Sequence, residues 1–73
     1  MSSKLPAITA KELVKIIEKK GFVKVRQSGS HAIYKNSFGN RTTIPIHSSK
    51  IIGKGLLKQI MKDSEITIKD FNI

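Results

Sequence analysis

Phe22-Val23-Lys24-Val25-Arg26-Gln27-Ser28-Gly29-Ser30-His31-Ala32-Ile33-Tyr34-Lys35 is the stretch that decides the fold. Its first half alternates apolar and polar residues with period two, and the alternation resumes at His31 after a bend, the pattern of two half-buried strands. Ser28, Gly29 and Ser30 suit the bend, because glycine reaches positive φ without steric cost and serine bonds to nearby backbone. The stretch reads as a β-hairpin that places a histidine at the first position of its second strand.

Upstream, residues 1–7 are mostly polar around Pro6 and read as a flexible arm. Ile8-Thr9-Ala10-Lys11-Glu12-Leu13 then carries a full helix start, with Thr9 as N-cap, Glu12 closing a capping box and Ile8 stapled onto Leu13. Leu13, Val14, Ile16 and Ile17 form an apolar stripe, while Lys11, Lys15, Glu18 and Lys19 face water. Gly21 supplies the left-handed position that ends the helix, and Phe22 folds back on Ile17.

Downstream, the turn formers Asn36-Ser37-Phe38-Gly39-Asn40 lead into Arg41-Thr42-Thr43-Ile44-Pro45-Ile46-His47, a β-branched alternating run. Pro45 cannot donate to a ladder, so this third strand belongs at an edge. Leu56, Leu57, Ile60 and Met61 recur at helical spacing and predict a second helix over about 53–62. Lys54, Lys58 and Lys62 line one face of it. Thr67-Ile68-Lys69-Asp70 reads as another capped turn, with Ile66, Ile68 and Phe71 positioned to cover an end of the core.

The expected fold is α+β, in the order α-β-β-β-α: a three-stranded antiparallel sheet with both helices on one face, in a single domain over 1–73. Unbroken alternation turns Val23, Val25, Ile33, Ile44 and Ile46 inward and Lys24, Arg26, Ala32, Tyr34 and Thr43 outward. Antiparallel pairing sets His31 beside Pro45 and His47 at one end of the sheet.

A chain of 73 residues has room for one small core. Its 14 Lys and Arg against 5 Asp and Glu give a net charge of +9 and a pI of about 10.2, so it is drawn to polyanions, nucleic acid first. A membrane surface fits less well, since there is no long apolar run and neither helix carries the Trp or Phe of an interfacial helix. Without cysteine there is no disulfide or thiolate metal site, and the two histidines and scattered carboxylates show no metal-ligand spacing. No metal and no cofactor are expected. No acid is placed to orient either histidine in a Ser-His-Asp hydrolase. The N-terminus lacks the apolar core of a signal peptide, and a cytoplasmic protein is expected.

Imidazole changes charge near neutral pH, so His31 is the candidate catalytic group, as general base or acid. A second proton-transfer group is left open: His47 is nearest by topology, with Tyr34 or a lysine as alternatives, and the plainer reading of His47, as a loop residue capping the strand end, is the favoured one. Candidate RNA contacts are Lys24, Arg26, Ser30, Tyr34, Lys50, Lys54 and Lys58. Lys50 and Lys54 lie where the second helix begins, a helix start with open N–H groups favours phosphate, and Lys58 continues the lysine face along that helix.

Four short motifs carry a resemblance: Lys20-Gly21-Phe22, Arg26-Gln27-Ser28-Gly29-Ser30-His31, Ile44-Pro45-Ile46-His47 and Lys54-Gly55-Leu56-Leu57-Lys58-Gln59-Ile60. In this order and spacing the chain resembles HicA-type toxins, the mRNA interferases of bacterial and archaeal toxin–antitoxin pairs, from roughly Thr9 to Phe71. The spacer from Met61 to Phe71 departs from the family pattern. The resemblance implies a fold similar to the double-stranded RNA-binding domain, metal-independent cleavage of mRNA with a catalytic histidine at His31, and inhibition by a HicB-type antitoxin that covers the active site. The competing reading is a non-catalytic module that binds double-stranded RNA by shape and phosphate contacts, in which Lys50, Lys54 and Lys58 matter and His31 does not. A third use of the basic surface, docking an acidic protein partner, is compatible with the toxin reading.

Overall fold

The computed structural model describes residues 5–46 and 50–71. The elements run α1 (Ala10–Lys19), β1 (Val23–Ser28), β2 (His31–Lys35), β3 (Arg41–Pro45), α2 (Lys54–Ser64) and a 3-10 turn over Ile68–Phe71. The strands form one antiparallel sheet in the order β1-β2-β3, and β3 is an edge as Pro45 requires. The α+β architecture is the expected one.

Local chemistry accounts for the ends of α1. The Thr9 side chain accepts from the Glu12 backbone N–H at 3.2 Å, and the Glu12 carboxylate accepts from the Thr9 N–H at 2.9 Å. At the other end Gly21, at φ 94°, lets its own N–H reach the Glu18 carbonyl and the Phe22 N–H reach that of Ile17. These two bonds satisfy the last carbonyls of the helix and drop Phe22 into the core. Leu13, Ile17, Phe22, Ile44, Leu57 and Ile60 are the large fully buried side chains, so the core sits between the two helices and the face of the sheet that carries Ala32, Tyr34, Thr42 and Ile44. Leu5, in the stretch read as an arm, also packs against this core. The 3-10 turn opens with the Thr67 N–H donating to Asp70 at 2.7 Å, and Asp70 is tied back to Lys20 at 3.3 Å.

The alternation through the hairpin needs correction. A register irregularity between Lys24 and Arg26 inserts Val25 as a β-bulge, and a bulge reverses the facing of the residues on one side of it. Lys24 therefore pairs with Tyr34 and Gln27 with Ala32 on the helix-side face, while Arg26 pairs with Ile33 and Ser28 with His31 on the open face. Ala32 and Tyr34 are buried rather than outward. Ile33 is half-buried on the open face, and Val23 and Val25 are exposed rather than inward. The helices make their main sheet contacts with β3, which leaves every residue of β1 exposed. Ile44 faces inward, Ile46 packs at the margin of the core and Thr43 faces outward, as expected.

The helix cap makes a testable contribution. Thr9→Ala removes the N-cap acceptor and is expected to cost about 1 kcal/mol, read as a lower midpoint in urea unfolding at neutral pH. Hydrogen bonds from Thr9 hold Glu12 below the ordinary carboxylate range, and the Thr67 N–H does the same for Asp70 with help from Lys20. Depressed folded-state values contribute stability above the unfolded value and lose it as pH falls through the folded one. Wild-type stability should therefore decline below about pH 4.5, and Thr9→Ala should flatten that decline.

Candidate active site

His31 opens β2 directly after a two-residue loop, Gly29-Ser30. Gly29 has φ 58° and Ser30 does not share the positive φ, the II′ pattern whose twist suits a tight hairpin. The loop is held on both sides: the Gln27 side chain donates to the Gly29 carbonyl at 3.0 Å, and the Ile46 N–H donates to the Ser30 carbonyl. His31 is thus fixed by backbone while its side chain stays exposed, paired with Ser28 on one side and Pro45 on the other. An imidazole in this setting is open to a polymer lying on the sheet.

The face it stands on has a clear composition. Three cross-strand rows point away from the helices: Ser28-His31-Pro45, Arg26-Ile33-Thr43 and Val23-Lys35-Arg41. The chain carries no acidic residue between Glu18 and Asp63, so none of the three strands contributes one. Asp63 and Glu65 are engaged at the other end of the strands, where Thr42 donates to Asp63 at 3.4 Å and Asn40 donates to Glu65 at 3.4 Å. His31 therefore lies at the end of the sheet remote from those carboxylates.

The predicted contacts divide among four places. Arg26 shares the open face with His31, and half-buried Ser30 forms the loop beside it. Lys24 is on the opposite face, where its ammonium donates to Gln27 at 2.8 Å. Lys50, Lys54 and Lys58 are exposed on α2 and its approach, in the helix layer. Tyr34 is only 4% exposed and belongs to the core, so it is withdrawn both as an RNA contact and as a proton donor. Burial, reinforced by the charge of Glu18, pushes its phenol above the ordinary value. His47, Ser48 and Ser49 lie outside the described residues.

Lys35 and Arg41 are the basic residues that reading along the chain missed on this face. They flank the Asn36 to Asn40 turn and become direct cross-strand partners only once the hairpin closes. Their symmetric placement about that turn was the available signal.

α2 begins at Gly53 with no side-chain cap and no acidic residue in its first turn, so its leading N–H groups and Lys54 present positive potential. Two clefts, of about 590 and 630 Å³, are lined by residues of the helix layer and the Asn36 to Asn40 turn, and His31 is in neither. The chemistry available at His31 is that of an open cationic surface. Among the described residues no three His, Cys, Asp or Glu side chains converge as metal ligands, and no helix is long and apolar enough to cross a membrane.

No curated protein matches the chain. The family model described as the HicA toxin of bacterial toxin–antitoxin systems matches residues 10–66, from the start of α1 to the residue after the cap of α2. That span contains the complete sheet, His31 and both helices, and the chain belongs to the HicA toxin family.

Proposed function

We propose that this toxin acts as an endoribonuclease on mRNA, without a metal ion, and that a HicB-type antitoxin restrains it by covering the face that bears His31. The observation that carries the reading is a backbone-fixed, solvent-exposed histidine on an acid-free cationic sheet face, within a HicA domain. A module that only binds double-stranded RNA would use such an imidazole as a hydrogen-bond donor to RNA, so a loss of affinity at His31, and not a loss of cleavage alone, marks that reading.

The reaction is a transesterification. The ribose 2′-oxygen attacks the adjacent phosphorus, the bond from phosphorus to the 5′-oxygen breaks, and a 2′,3′-cyclic phosphate remains. One group takes the 2′-hydroxyl proton and one gives a proton to the departing 5′-oxygen. His31 fills one of these roles, and nearby lysines and arginines offset the charge that builds on the phosphorane. With Tyr34 in the core, His47 or a lysine is left for the other role.

The dependence on the 2′-hydroxyl gives a test specific to this chemistry. In an RNA oligonucleotide with one preferred cut, a single 2′-deoxy substitution on the 5′ side of that cut is expected to abolish cleavage there. Deoxy substitutions two or more positions away should leave it. Undiminished cutting at the deoxy position would exclude attack by the neighbouring ribose.

A further inference from the structure

Arg26, Lys35 and Arg41 all point from the open face and are exposed, in the two rows beyond His31. Lys35 and Arg41 are direct cross-strand partners, a like-charge pairing that disfavours the sheet when nothing lies between the charges. The ion pair found among the described residues joins Lys20 and Asp70, so none of these three cations is matched by a carboxylate there. A bound anion would offset the repulsion and supply the missing counter-charge.

We infer that Arg26, Lys35 and Arg41 form a phosphate track that leads away from His31 and holds a short single-stranded segment of RNA. The placement of the scissile phosphate at His31 rests on the ribonuclease reading; the track itself does not. Successive rows along a strand are two residues apart, about 6 to 7 Å, comparable with the spacing of neighbouring phosphates on an extended nucleic-acid strand. With one phosphate at His31, the next falls at Arg26 and the one after it at Lys35 and Arg41. The face is about 10 Å across and about 13 Å between its end rows. Those dimensions fit three nucleotides of single strand, whereas duplex recognition by shape spans about 16 base pairs. In-line attack by a 2′-oxygen also needs a backbone freer than that of an A-form helix.

Ile33 and Thr43 occupy the middle of the track, and Tyr34 is turned away from it. Neither row beyond His31 presents an aromatic ring, so the track grips the backbone and adds little base preference.

The test is binding of a fluorescent 2′-O-methyl hexanucleotide, which cannot be cleaved, as a function of salt. The track variant is Lys35→Gln with Arg41→Gln. The control is Lys15→Gln with Lys19→Gln on the exposed side of α1, which lowers net charge equally. Two lost phosphate contacts should reduce the slope of log affinity against log salt by about 1.4, which is about tenfold in affinity at 0.15 M relative to 1 M. The control should leave the slope near that of wild type, and Lys35→Arg with Arg41→Lys should restore it. Equal slopes for track variant and control, or tighter binding of a duplex than of the single strand, would overturn the proposal. A wild-type protein that binds through the track and cleaves nothing would support the track and count against the ribonuclease reading.

Discussion

His31→Gln is expected to lower the rate of RNA cleavage by about 10²- to 10⁴-fold, the range a positioned proton-transfer group contributes, and to leave RNA affinity within about twofold. The separation follows from the site. His31 is exposed at the end of a sheet, held by the Gly29-Ser30 loop and by pairing with Pro45, and its ring is no part of the core. Glutamine keeps polarity and approximate size but cannot exchange a proton near neutral pH. Exposed substitutions of this kind usually stay within about 0.5 kcal/mol in stability, so the variant should unfold with the wild type. Single-turnover cleavage, anisotropy with a non-cleavable oligonucleotide and a urea curve measure the three quantities. A parallel loss of affinity and rate would make His31 a binding residue, and the double-stranded RNA-binding reading would then regain ground.

Tyr34→Ala should have the largest effect on folding. The ring is 4% exposed, on the sheet face covered by the helices, beside Thr42 and Lys24 in the register. Truncating a buried aromatic to alanine costs about 3 to 5 kcal/mol through lost burial and the cavity left behind. A domain of 73 residues has a total stability of only about 4 to 11 kcal/mol, so most of the margin goes. Tyr34→Phe keeps the packing and should remain folded with unchanged RNA affinity. The pair separates a core role from a base-stacking role: a folded Tyr34→Ala with selectively weakened RNA binding would return Tyr34 to the surface. Urea unfolding followed by circular dichroism, with anisotropy on the folded variants, reads both outcomes.

Tyr34 also marks where the sequence ceased to be readable. The capping box at Thr9 and Glu12, the Gly21 stop, the Gly29 turn and Pro45 at an edge are signals set by neighbours within a few residues, and the structure carries each of them. The order of elements follows from those signals. Which way a strand residue faces depends on counting through the strand, and the bulge at Val25 inserts one residue into the count. Val23-Lys24-Val25-Arg26 gives no composition cue for that bulge, because both valines suit an inward face. In β2 the small Ala32 and amphipathic Tyr34 face inward while Ile33 does not, and only packing against α1 and α2 decides this. For the site, the position of His31 beside Pro45 was legible, because it needs just a hairpin and a short turn. The partnership of Lys35 with Arg41 and the displacement of Lys24 to the far face depend on the register.

The measurement that bears most directly on the central claim is fragment-end analysis. Wild type and His31→Gln are incubated with a labelled single-stranded RNA in excess chelator. The expected result is fragments from the wild type alone, ending in a 2′,3′-cyclic or 3′-phosphate with 5′-hydroxyl partners. Fragments ending in 3′-hydroxyl and 5′-phosphate, or equal cutting by His31→Gln, would contradict the account.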